Sequence, residues 1–328
     1  MSGRHFKALQ QVAAKQQAVF GTKEATLLLA DVVEVMEGSK VSFTPNAAAM
    51  KLLGAGFSQN ASVIGPSIGD LSVIFPMRTG GAVDSVGQWG IFLEACGMKK
   101  TEGLVAEVNK YTFTPTNKQS EWKDCTVEGF SGSLDTTESF KRILYNCMFN
   151  HKITLDFKPE EPIAKIEFTG KGVYDAAAAL ATQYVAVKST APILALKGMT
   201  INLLGDTDHD LCLFELDGGV ELNGPMLKPT DSHGIGIMTI KAVSAKWRAV
   251  VYKDGDTTPE SIYHAGTLGT ISLSWGTNPN KITIASGTNK AQITGIQDGD
   301  QDGAETCELS GIFVDNDYTV VVDTNAAT

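Results

Sequence analysis

Pro162-Ile-Ala-Lys-Ile-Glu-Phe-Thr-Gly-Lys-Gly-Val-Tyr174 is the stretch that decides the fold class. Ile163, Lys165, Glu167 and Thr169 alternate with Ala164, Ile166 and Phe168. Side chains of a strand point to opposite faces in turn, so this spacing predicts a half-buried β-strand with one wet face, ended by Gly170. Far downstream, Thr306-Cys-Glu-Leu-Ser-Gly311 repeats Lys165-Ile-Glu-Phe-Thr-Gly170 in its alternation, its Glu and its closing Gly. The echo predicts two similar β units on one polypeptide, although two sandwiches of one class would also produce it.

Working outward, 328 residues are enough for two domains with proper cores, and 43% hydrophobic with 20% charged is ordinary globular composition. No apolar run approaches the length of a membrane span, and the Gln-rich start does not read as a signal peptide. The expectation is a soluble protein made in the cytoplasm. The five cysteines are scattered and never form Cys-x-x-Cys, so they read as buried thiols. Residues 1–186 carry 18 basic and 19 acidic side chains, residues 187–328 only 9 against 18. That acidity argues against a groove that grips nucleic acid, which needs Lys and Arg at the phosphates. It leaves open a surface past which nucleic acid slides, and equally an acidic face that only aids solubility.

The sequence predicts three segments: an N-terminal helical arm (1–23), a first β domain (24–186) and a second (187–328). Residues 5–19 are helix formers with Phe6, Leu9, Val12 and Ala13 on one side, closed by Gly21. Val83–Cys96 carries a helical stripe of Val86, Trp89, Ile91, Phe92 and Leu93 that ends at Gly97, and Pro259–Ala265 suits a brief helix capped by Thr258. Short strands fill most of the rest, with Asn150-His151 read as a tight turn and Gly236–Val243 as an echo of Gly69–Pro76. Two long connections, Pro45–Ile68 and Asp217–Gly234, lie at equivalent places in the two units. The fold class expected is mainly β, two sandwich or barrel domains with few short helices.

Catalytic spacing is not apparent. The five histidines are dispersed, and no zinc-protease, nucleophile-elbow or P-loop motif occurs. Asp298-Gly-Asp-Gln-Asp-Gly303 opens like a calcium loop, but its twelfth position is Leu309 and its flanks read as strands, so a solvated hairpin loop is the better reading. Asp206-Thr-Asp-His-Asp210 reads as a plain turn. Neither a metal nor another cofactor is assigned. Trp89, Phe168, Trp247 and Leu309 are read as core anchors.

Taken in order, Ala14-Lys-Gln-Gln-Ala-Val-Phe-Gly-Thr22, Trp89-Gly-Ile-Phe-Leu-Glu-Ala-Cys-Gly97, Tyr111-Thr-Phe-Thr-Pro115, the Pro162–Tyr174 strand, and Ile271-Ser-Leu-Ser-Trp-Gly276 through Tyr318-Thr-Val-Val-Val322 resemble the tail tube (major tail) proteins of long-tailed, non-contractile bacteriophages. The resemblance covers most of the chain. It implies a non-enzymatic virion protein whose β-sandwich domains join neighbours into a barrel, stack as rings and conduct double-stranded DNA into the host. An acidic balance suits such a lumen. It further implies tape measure, tail-tip and tail terminator proteins as partners, no membrane, and DNA passing without specific binding. With two such domains per chain, a trimeric ring in pseudo-sixfold order is expected, a ring of six chains being the alternative. Pro45, Leu53, Phe57, Val63 and Ile64 in one long connection, and Leu222, Met226 and Leu227 in the other, are the candidate contacts between rings. A rival in another class is a β-sandwich receptor-binding or decoration module; a metal-dependent hydrolase stands third.

Overall fold

The computed structural model describes residues 11–24, 27–44, 47–49, 62–64, 68–80, 86–103, 109–131, 140–157, 162–179, 192–207, 210–224, 237–253, 258–301 and 303–325. It is mainly β, with two short helices among these residues. In chain order the first strands are β1 (Gln11–Gln16), β2 (Val32–Val33), β3 (Lys40–Thr44), β4 (Ala47–Ala49), β5 (Ser62–Ile64) and β6 (Ile68–Pro76). Helix α1 (Gly90–Glu94) follows, then β7 (Met98–Glu102), β8 (Lys110–Pro115), β9 (Cys125–Ser131), β10 (Phe140–Asp156) and β11 (Ala164–Ala179). Next come β12 (Thr200–Leu203), β13 (Leu211–Asp217), β14 (Val220–Asn223), β15 (Thr239–Val243), β16 (Lys246–Tyr252) and helix α2 (Thr258–Ala265). The chain finishes with β17 (Leu268–Gly269), β18 (Ile271–Thr277), β19 (Asn280–Ser286), β20 (Ala291–Gln301), β21 (Ala304–Phe313) and β22 (Tyr318–Asp323).

Twelve strands form one antiparallel sheet in the order β17-β20-β21-β16-β13-β10-β11-β6-β3, with β9, β1 and β2 branching from β10. A second sheet of six strands runs β12-β18-β19-β22-β8-β7, and β4-β5 and β14-β15 are separate two-stranded sheets. Both large sheets cross the boundary expected at 186/187: β10 pairs with β13, and the C-terminal β22 pairs with β8. One hydrophobic cluster joins residues of both sheets, so the two β units share a core. Phe92 of α1 lies in its middle, with ring centroids 5.1 Å from Phe75, 5.2 Å from Phe168 and 5.3 Å from Phe149.

Three local expectations are corrected. Residues 11–16 are a strand, not part of a helix. Val12 and Ala14 face the main core while Ala13 joins a smaller cluster with Leu27, Val32 and Phe130, so both faces of β1 are covered. Pairing with β2 and β9 on either side then outweighs helix propensity. Asn150-His151 is not a turn, because β10 runs straight through it; the irregularity falls at Asn146, where the register against β11 shifts and φ is 48°. Asn146 holds this left-handed conformation by donating to Asp124 Oδ2 at 2.6 Å and accepting from the Met238 N–H. Gly170 does not end its strand either. Phe149 stands opposite it, and a Cβ on Gly170 would lie 2.5 Å from that ring.

The large sheet contains a repeated order. β10, β11, β6 and β3 stand side by side, and β20, β21, β16 and β13 stand side by side in the same sequence and the same directions. Their registers agree as well. Glu167 is opposite Ile74 and Lys152, while Glu308 is opposite Val250 and Gln297. Leu71 opposite Val41 corresponds to Trp247 opposite Leu216. In each group a small two-stranded hairpin interrupts the chain (β4-β5 after β3, β14-β15 after β13), and a helix follows the next strand. By register, therefore, β16 corresponds to β6, whereas β15, which contains most of Gly236–Val243, lies in the small hairpin. The six-stranded sheet does not repeat in this way, since β22 is flanked by the hairpins β18-β19 and β7-β8.

Candidate functional site

The surface that merits attention is the solvent face of the large sheet together with its two ends. Alternation fixes it: Val73, Phe75, Ile153, Leu155, Ile166, Phe168, Phe214, Leu216, Trp247, Ala249 and Leu309 point into the core. The intervening residues point out. Across six strands these form a polar row: Ser72, Glu167, Lys152, Glu215, Arg248 and Glu308. Ser72 donates to Glu167 at 3.1 Å, Lys152 meets Glu215 at 2.6 Å, and Arg248 approaches Glu215 at 3.3 Å. Arg248 also donates through Nε and one terminal nitrogen to the two oxygens of Glu308, at 2.7 and 2.6 Å. This two-point geometry holds the Glu308 carboxyl below the usual range and raises the guanidinium further.

Along the same face, Lys40, Lys152, Lys165, Lys171, Lys246 and Arg248 are matched one for one by Asp70, Asp156, Glu167, Glu215, Asp217 and Glu308. Among the described residues this face is therefore balanced in charge. Because Arg248 is part-exposed, its pairs are worth about 1 kcal/mol together. The expected effect of Arg248→Met is accordingly a loss of about 1 kcal/mol in urea unfolding at low salt, shrinking toward zero in 1 M salt.

The ends of the sheet are edges. β3 pairs with β6 on one side and hydrogen-bonds to no second strand among the described residues, although β9 approaches it, with Val41 packed over Gly129. Its Val41 carbonyl accepts instead from Arg142 at 3.3 Å. β20 pairs with β17 only at Ala291 and Gln292, leaving Gln297 to Asp300 exposed along one side. Unpaired edges of this kind recruit further strands unless they are blunted.

Of the expected contact residues, Pro45, Leu53, Phe57, Met226 and Leu227 lie outside the described residues. Val63 and Ile64 belong to β5, and Leu222 belongs to β14, where it packs partly buried against the core. Trp89, Phe168, Trp247 and Leu309 are all at most 2% exposed. Trp89 also donates through Nε1 to the Arg78 carbonyl at 2.8 Å. The Asp298–Gly303 stretch forms the end of the β20-β21 hairpin, Asp302 itself lying outside the described residues; Gly303 N–H donates to Asp300 at 3.2 Å with φ at 84°. Asp206 sits in an isolated bridge with Leu203, and Asp208 and His209 of its cluster lie outside the described residues. No group of three or more potential metal ligands converges among the described residues. None of the described helices is long and apolar enough to cross a membrane.

Sequence reading picked out Glu167 and Glu308 but missed Lys152, Glu215 and Arg248, because their pairing depends on the β10-β13-β16 register. The available signal was their position, each a charge on the wet face of an alternating strand. No protein-family model and no curated protein matches this chain.

Proposed function

We propose that this chain is a structural, non-enzymatic subunit of the tail tube of a long-tailed, non-contractile bacteriophage, forming rings that stack into a conduit for double-stranded DNA. The observation that carries the reading is the repeated order and register of β10-β11-β6-β3 and β20-β21-β16-β13, joined head to tail at β13-β10. One chain thus offers two quasi-equivalent four-stranded units, which this reading takes as an internal duplication. A head-to-tail join leaves complementary ends, so copies continue the sheet until it closes, and closure removes the edges. Three chains supply six units. The resemblance of the Trp89–Gly97 and Pro162–Tyr174 segments supports the family assignment. Physically, the first forms the buried helix between the sheets and the second the strand carrying Glu167 on the wet face.

In this reading the wet face lines the lumen. Arg248 and Lys152 are both engaged by carboxylates, so they do not present free cations to passing phosphates. Neutral balance through pairing, rather than an excess of acid, keeps DNA from sticking. The tube would lie in the virion, assembled from protein made in the host cytoplasm, with tape measure, tip and terminator proteins at its ends. Electron microscopy of purified protein at rising concentration tests this. Hollow tubes or stacked rings with three chains per turn are the expected result; monomers persisting at every concentration, even with tail-tip complexes added as initiators, would overturn it.

A further inference from the structure

We infer that neighbouring copies join in one fixed strand register, with β3 of one chain antiparallel to the C-terminal half of β20 of the next, Ser42 opposite Gln297 and Lys40 opposite Gly299. This rests on the conduit reading above and specifies its interface. The template is the junction inside the chain, where β13 pairs with β10: Asp217 is opposite Lys152, Leu216 opposite Ile153 and Glu215 opposite Thr154. The repeated registers translate each partner. Through β16 and β6, Asp217 corresponds to Ser42, Leu216 to Val41 and Glu215 to Lys40. Through β21 and β11, Lys152 corresponds to Gln297, Ile153 to Asp298 and Thr154 to Gly299.

The pattern of occupied and open edge supports the match. On β10, the N-terminal half pairs with β9 (Phe140 to Cys147), and only the C-terminal half is left for β13. On β20, β17 takes Ala291 and Gln292, and the part left open is the part that corresponds. Helix α1 contacts β10, and α2 contacts β20. On the wet face the chemistry is compatible too. Where the internal junction has Glu167, Lys152 and Glu215 in a row, the proposed one has Glu308, Gln297 and Lys40. The Gln297 amide can donate to Glu308 while its carbonyl oxygen accepts from Lys40, so no like charges face each other. The Val41 carbonyl, which takes Arg142 in the isolated chain, would take a backbone N–H from β20 instead.

Cysteine pairing reads the register directly. Within one chain positions 42 and 297 sit at opposite ends of eight adjacent strands, about 35 Å apart at the usual inter-strand spacing, so any disulfide between them is intermolecular. The variant Ser42→Cys/Gln297→Cys, oxidised mildly, is expected to give dimer and trimer bands on a denaturing gel, at least tenfold more than Lys40→Cys/Gln297→Cys, which is slipped by two residues. Native cysteines are all buried among the described residues and provide the background. Electron microscopy of the same samples separates two failures. Rings without the 42–297 bond, or with the slipped bond favoured, overturn the register and leave the conduit reading standing; absence of both rings and cross-links overturns both.

Discussion

Replacing Gly170 by alanine is expected to cost about 3 kcal/mol or more, at the upper end for overpacking of a core. The added methyl would stand 2.2 Å from the Met148 carbonyl oxygen and 2.5 Å from the Phe149 ring. A ring tip can turn away, but a carbonyl held in the β10-β11 ladder cannot move without breaking the pairing. Phe149 is also fully buried and in edge contact with Phe168 and Phe92, so its ring has no free direction. Gly311, at the equivalent place in the repeat, meets the same obstacle: a Cβ would lie 2.2 Å from the Gln292 carbonyl oxygen and 2.3 Å from the Trp247 ring. Gly170→Ala and Gly311→Ala should therefore both lower the urea midpoint strongly. Gly224, where a Cβ meets nothing within 4 Å, serves as the control, and its Ala variant should be neutral or slightly stabilising. If Gly170→Ala matched the control, the close packing of Phe149 over the glycine would be wrong.

These glycines show what was legible in the sequence. The alternation and the two closing glycines of Lys165–Gly170 and Thr306–Gly311 were visible, and they fall on β11 and β21, which hold the same place in the two four-stranded groups. The meaning of the glycines was not visible, since it depends on an aromatic ring from a neighbouring strand. Mainly β architecture was legible from the spacing of short strands, as was α2 from its Thr258-Pro259 start. The β1 strand was not, because Gln-Val-Ala-Ala-Lys-Gln has helical preferences and only the strands on each side of it impose extension. The wet-face row was half legible: each charge could be placed on a face, but which charges meet is decided by register between strands far apart in sequence.

Acidification from pH 7.5 to 4.5 is expected to remove about 2.5 kcal/mol of folding stability through His151 alone. His151 is 1% exposed, in the core between the sheets, with Nε2 2.9 Å from the Tyr318 hydroxyl and Nδ1 without a partner among the described residues. Burial drives its pKa down to about 4, with Asp217 pulling weakly the other way. The unfolded chain takes up this proton near pH 6.5, and the folded chain only near 4, so between these values the unfolded state binds more protons. Stability from this group is thus complete above about pH 6.5 and falls as pH drops toward 4. Carboxylates held below their ordinary range, such as Glu121 and Glu308, still contribute in this window and fail only at lower pH. Asp124, pushed up mainly by burial, acts in the opposite sense and trims the loss. His151→Gln keeps a group that can bond Tyr318 but does not titrate, so it should flatten the slope between pH 7.5 and 4.5 in urea unfolding. A wild-type slope unchanged in the variant would show that the proton enters elsewhere. Since His151 on β10 meets Tyr318 on β22, its protonation would loosen the packing of the two sheets against each other. On the conduit reading proposed above, tubes should then lose rigidity in the same pH window, and His151→Gln tubes should not.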